Sequence, residues 1–123
     1  MTLATAPITS FVGVSDLDAA ELFYGDVLGL PLRDARPFAL VADTGVTQLR
    51  ITAVEAVRPA PYSVLGWQVE DIEGTVDELV SKGVQFTRYE GIEQDDRGLW
   101  TAPSGARIAW FRDPDGNNLS LQA

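Results

Sequence analysis

The chain has no cysteine and no histidine. Without cysteine there is no disulfide, no thiolate nucleophile and no thiolate metal site. Without histidine no side chain has an unperturbed pKa near neutrality, so a Ser–His–Asp triad is excluded. Acid–base work would fall to a strongly shifted carboxylate, tyrosine or lysine. A metal site would need oxygen ligands alone. Positive charge is also scarce: 9 Lys plus Arg stand against 18 Asp plus Glu, a net charge of −9. A phosphate backbone would be repelled and no basic run offsets this, so nucleic acid is not an expected partner. The same field favours a cationic ligand and also serves plain solubility. No apolar run approaches the roughly 18 residues of a membrane span. Residues 1–7 lack the positive and apolar segments of a signal peptide. The expectation is a cytoplasmic protein with no membrane partner.

What is present reads as a globular domain. The chain has 123 residues, 46% of them hydrophobic and 22% charged. That length matches one domain and can bury a core without covalent staples. Segment 8–14 is rich in β-formers and ends at Ser15-Asp16, either of which can cap a helix. Leu17, Ala20, Phe23, Tyr24, Val27 and Leu28 then recur at helical spacing, and Gly29 stops the run. Leu30 and Leu32 open an extended stretch, and segments 38–42 and 46–54 read as strands around a turn at 43–45.

The second half repeats the pattern. Segment 63–69 reads as a strand, Asp71 as a helix cap, and Ile72, Val76, Leu79 and Val80 as an apolar helix face ending at Gly83. Strands are expected over 84–89, 107–111 and 118–122, the last two joined by a turn at 113–117 with Pro114 and Gly116. Val14-x-Asp16-Leu17 aligns with Val69-x-Asp71-Ile72 at an offset of 55 residues, and Gly29 aligns with Gly83 after a one-residue deletion. An internal repeat of this kind predicts an α+β fold of two βαβββ modules, about 1–56 and 62–123. Residues 89–104 form the longest stretch without periodicity, either a functional lid or a plain loop.

Val14-Ser15-Asp16-Leu17, Phe23-Tyr24 with Val27-Leu28-Gly29-Leu30, and Phe111-Arg112-Asp113-Pro114-Asp115-Gly116-Asn117 together resemble the vicinal oxygen chelate family. That family includes glyoxalase I, extradiol dioxygenases, and fosfomycin- and bleomycin-resistance proteins. The resemblance covers nearly the whole chain. It implies two modules forming a curled mixed sheet around a cleft, with helices outside. It also implies where metal ligands would stand: Thr9, seven residues before Asp16; Val64, seven before Asp71; Ser120, four after Gly116; and Arg50, or Gln48 in a register shifted by two. An arginine and an aliphatic side chain do not suit a divalent cation. The expectation is therefore no metal and no cofactor, which puts the family's metal-dependent reactions in doubt.

Strand alternation places Thr9, Phe11, Gln48, Arg50, Thr52, Val64, Gln68, Asn118 and Ser120 on the cleft side. Val12, Val14, Leu49, Ile51, Leu65, Val69, Leu119 and Leu121 fall on the helix side. Trp67 shares that parity and reads as core. Trp100 and Trp110 are candidates for the cleft or its rim, or else fill the core or a dimer interface, and Phe38 and Tyr62 carry the same alternatives. Arg50 on an inner strand needs either a carboxylate partner or a ligand carboxylate, phenolate or carbonyl.

These features support a metal-independent small-molecule binding protein, its ligand cationic or aromatic. The resemblance to the bleomycin-resistance branch implies a homodimer. Two other readings stay open. One is a cofactor-free lyase or isomerase using Arg50 with Tyr24, Tyr62 or a carboxylate; the other is a module that dimerises and binds nothing small.

Overall fold

The computed structural model describes residues 2–45 and 47–123. Met1 and Val46, the latter expected to open a strand, lie outside the described residues. The chain divides into two compact units, one ending at Arg58 and the other running Pro59–Ala123.

The first unit opens with a 3-10 turn, Leu3–Thr5, and then β1, Ile8–Val14. Helix α1, Leu17–Ala20, starts where the Asp16 carboxylate accepts the free N–H groups of Asp18 at 2.9 Å and Ala19 at 3.2 Å. The helix then widens over Glu21–Val27 into π geometry, and Leu28 N–H donates to Phe23 C=O at 2.9 Å, five residues back. This register sinks Tyr24 fully into the core, edge-on to Phe23 at 5.1 Å between ring centres. Strands β2 (Leu32–Ala35), β3 (Ala39–Thr44) and β4 (Thr47–Ala53) complete a sheet of order β1-β4-β3-β2, with β1 parallel to β4 and the other pairs antiparallel. One face buries Val12, Val14, Leu40, Leu49 and Ile51. Each fully buried side chain of this size contributes about 1.5–3 kcal/mol.

The second unit repeats the plan. Strand β5 (Leu65–Gln68) leads to α2 (Ile72–Ser81), capped where Gly74 N–H donates to the Asp71 carboxylate at 3.0 Å. Strands β6 (Trp100–Thr101), β7 (Arg107–Arg112) and β8 (Asn118–Gln122) follow. The order is β5-β8-β7-β6, again with the outer β5 parallel to β8. Each unit is thus a βαβββ module with the same topology, the α+β architecture that the repeat predicts. The core of this unit holds Ile72, Val76, Leu79, Phe111, Leu119 and Leu121. Trp67 stacks on Phe111 at 6.3 Å and 23° on this side of the sheet. Among the described residues no helix is long and apolar enough to cross a membrane.

One expected strand shrinks. Segment 84–89 contributes a single bridge, Phe86 to Phe111, with Thr87 N–H bonded to Trp110 C=O at 2.7 Å. Beyond it the backbone turns to side-chain partners: Tyr89 N–H donates to the Gln94 amide oxygen at 2.8 Å, so the ladder cannot continue.

Candidate functional site

The second unit holds a cavity of about 350 Å³ walled by rings. Trp110 on β7 pairs with Ser120, and Trp100 on β6 pairs with Ile108, so strand alternation turns both indoles to one side of the sheet. Their ring centres lie 6.1 Å apart at 32°. Tyr89 meets Trp110 edge-on, 5.3 Å away at 90°, which closes a corner. Pro61, Tyr62, Ser63 and Ile92 complete the lining. Among the described residues no charged side chain lines the cavity.

A polar layer holds part of that lining in place. Buried Asn118 donates through Nδ2 to Ala60 C=O, while Ser120 Oγ and Ser63 Oγ share a hydrogen bond of 2.8 Å. Ser120 Oγ also reaches the Gln122 amide oxygen at 3.2 Å. These bonds strap residues 59–63 onto β8. Gly66, beside Ser120, leaves room for them, since a Cβ there would lie 2.8 Å from Ser120 Oγ. Asn118 Oδ1 is buried and, among the described residues, has no hydrogen-bond partner.

The stretch expected to be an aperiodic loop is internally bonded. Gln94 donates to Thr87 C=O at 3.0 Å and to Gly98 C=O at 2.9 Å, and its oxygen takes the Tyr89 N–H. The Asp95 carboxylate accepts the N–H groups of Arg97 and Leu99, each at 2.9 Å. Arg88 donates to Asp96 C=O at 2.7 Å. This set of bonds is what carries Tyr89, Ile92 and Trp100 to the cavity.

The first unit carries the other sequence-predicted contacts. Phe11 on β1 lies beside Arg50 on β4, Thr9 beside Gln48, and Gly13 beside Thr52. Phe11 is 64% exposed. Gln48 donates to the Asp43 carboxylate at 3.2 Å. Arg33, Arg36, Arg97 and Arg107 pair with carboxylates, Arg88 and Arg112 bond loop carbonyls, and Arg58 is exposed to water. Among the described residues Arg50 makes no ion pair and no side-chain hydrogen bond, although it is half-buried. Thr52 Oγ1, two residues along the same face, is buried and likewise has no partner among them.

Of the sequence-predicted ligand contacts, Tyr62, Trp100 and Trp110 line the cavity, with Asn118 and Ser120 behind its strap. Val64 and Gln68 lie on the same face of β5 and its approach but do not line the cavity. Thr9, Phe11, Gln48 and Arg50 share the face of the first unit. Phe38 is not among the residues lining the cavity and is 72% exposed just ahead of β3. Tyr24, an acid–base candidate, is fully buried and out of reach of a ligand. Tyr89, Ile92, Pro61 and Ser63 carry no motif; only the hydrogen bonding of Gln94 and Ser120 brings them in.

The positions that the resemblance assigns to metal ligands do not fit a cation. Ser120 Oγ is engaged with two neighbouring side chains. Val64 has no donor atom, and Arg50 brings a fixed positive charge. Among the described residues no three acidic, histidine or cysteine side chains gather in a way that could hold a metal ion.

Comparison with known proteins adds to this geometry. The family model described as Glyoxalase/Bleomycin resistance protein/Dioxygenase superfamily matches residues 6–121. The uncharacterized protein YraH of Bacillus subtilis (strain 168) is 33% identical over 124 residues, covering 88% of this chain and 90% of that protein. A Glyoxalase/bleomycin resistance protein/dioxygenase superfamily member from Sphaerobacter thermophilus DSM 20745 is 25% identical, with a TM-score of 0.73 and 98% of each chain covered. Lactoylglutathione lyase from Agrobacterium tumefaciens is 20% identical with a TM-score of 0.76, covering 98% of this chain and 95% of that one.

Proposed function

The chain belongs to the Glyoxalase/Bleomycin resistance protein/Dioxygenase superfamily, and on that premise we propose that it is a metal-independent binding protein for a small planar aromatic molecule, cations above all. The observation that carries this reading is the cavity of the second unit, walled by four aromatic rings and, among the described residues, by no charged side chain. Such rings hold a flat ligand by stacking and a flat cation also by attraction to their π faces, each contact contributing about 0.5–2 kcal/mol. The net charge of −9 raises the local concentration of cations further. A volume of about 350 Å³ is at the small end of ligand sites, which suits a fused ring system rather than a peptide. The Ser63 hydroxyl at the wall can accept a hydrogen bond from a ligand N–H or O–H.

Lyase chemistry is not carried over from the Agrobacterium neighbour, because likeness at 20% identity extends to the fold alone. The donor set described above supports the metal-independent part of the reading.

Calorimetric titration with N-methylquinolinium, a planar cation, tests it in wild type and Trp110→Ala. Saturable binding is expected in wild type, weakened by about tenfold or more in the variant. Equal affinity in the two proteins would remove the cavity as the binding site.

A further inference from the structure

The geometry points to a ligand-recognition element on the first unit: Arg50, with Phe11 beside it, is a site for an organic carboxylate carrying an apolar body. The inference does not depend on the ring-lined cavity, which lies wholly in the other unit.

Arg50 stands on β4, an interior strand, so its stem is flanked by Phe11 on β1 and Val41 on β3. Half-burial there removes part of the water that would otherwise solvate a guanidinium. In a chain with 18 acidic side chains, the remaining arginines have partners or, like Arg58, open solvent. Among the described residues, Arg50 alone keeps its guanidinium N–H donors unused in a sheltered place. The nearest carboxylate in the sheet register belongs to Asp43, opposite Gln48, and it is already taken by Gln48 and approached by Arg33 at 3.9 Å. The neighbouring Thr52 hydroxyl, buried two residues along the same strand, is also without a partner among these residues.

The ligand class follows from charge and shape. One planar fork carrying one positive charge matches a planar monoanion, and paired N–H···O bonds to a carboxylate meet that geometry. A phosphate dianion would face a net charge of −9 with Arg50 alone to offset it, since Arg33, in the same row of the sheet, is approached by the Asp43 carboxylate at 3.9 Å. Phe11, 64% exposed and adjacent in the parallel register, supplies an apolar platform for the rest of the molecule. An arene carboxylate satisfies both features.

Benzoate is the probe. In ¹⁵N-labelled protein, benzoate should move the Arg50 Nε–H resonance saturably, with backbone changes at Phe11 and Thr52, while neutral benzamide at equal concentration leaves them in place. Arg50→Met should weaken benzoate binding by about tenfold or more. An Arg50 resonance that ignores benzoate would overturn the inference, as would a response that sodium chloride reproduces at equal ionic strength. Unchanged affinity in Arg50→Met would overturn it as well. The wild-type resonance decides between these outcomes even if the variant folds poorly.

Discussion

Ser63 and Ser120, 57 residues apart in the chain, share a hydrogen bond of 2.8 Å between their hydroxyls. The bond joins the strap over the cavity to the strand beneath it, and Gly66 makes room for the pair. Ser120 occupies a position that the family resemblance assigns to a metal ligand, and its hydroxyl is bonded to the side chains of Ser63 and Gln122.

Gly66→Ala should therefore be costly out of proportion to one methyl group. Its Cβ would meet Ser120 Oγ at 2.8 Å, and overpacking of this kind costs about 1–3 kcal/mol. In a Ser120→Ala background, where that oxygen is gone, the same substitution should cost less. Urea melts of the four proteins measure the coupling, which should amount to about 0.5–3 kcal/mol.

Asp95 and Asp113 head two loops of the same design. Each carboxylate accepts backbone N–H groups two and four residues on, and each loop has a glycine three residues on with positive φ, Gly98 at 90° and Gly116 at 87°. Asp113 is 5% exposed and also takes the Asn117 amide at 2.8 Å, whereas Asp95 is exposed. Asp113→Ala should cost about 2–4 kcal/mol, because it strands buried donors, and Asp95→Ala should cost less. Denaturant midpoints at constant slope test the ranking.

Acid should weaken two surface clusters. Bonds from the Arg36 backbone N–H and guanidinium hold the Asp34 carboxyl below its ordinary value of 3.8, and the Arg97 guanidinium does the same for Asp77. A carboxyl depressed in the folded state favours folding fully above its unfolded value, and that contribution fades as pH falls through the lower folded value. The stability gap between wild type and Asp34→Asn/Asp77→Asn should be constant above about pH 5 and close below the unfolded value. Urea melts at stepped pH read it. A gap that widened on acidification would contradict the sign.

Gln94→Ala should loosen the loop that carries Tyr89, Ile92 and Trp100. Three hydrogen bonds disappear, at a net cost of about 0.5–1.5 kcal/mol each. Amide exchange at Tyr89 should accelerate, and N-methylquinolinium affinity should fall with the sheets intact. Unaltered exchange would mean that the loop is held by something else.

Much of the fold is legible along the chain. Strand β1 spans the residues that β-propensity indicates, Asp16 and Asp71 cap their helices, and both modules share one strand order. These features depend on local spacing, which sequence displays directly. The widened turn at Glu21–Val27 is invisible because burying Tyr24 from a shifted hydrogen-bond register leaves the apolar spacing looking helical. Segment 84–89 has strand composition, but its N–H groups find side-chain acceptors, and alternation cannot report that. The cavity is half legible for the same reason. Its tryptophans stand out by type, whereas Tyr89 and Ile92 arrive through Gln94, which has no signature in sequence.

The three tryptophans allow the most direct measurement, since each indole N–H gives its own resonance. Trp100 and Trp110 line the cavity, and Trp67 stacks on Phe111 on the opposite face of the sheet. In chelator-treated protein, N-methylquinolinium should shift the Trp100 and Trp110 signals saturably and leave Trp67 in place. Movement of Trp67 alone, or shifts that emerge only after a divalent metal is added back, would contradict a metal-independent pocket formed by those rings.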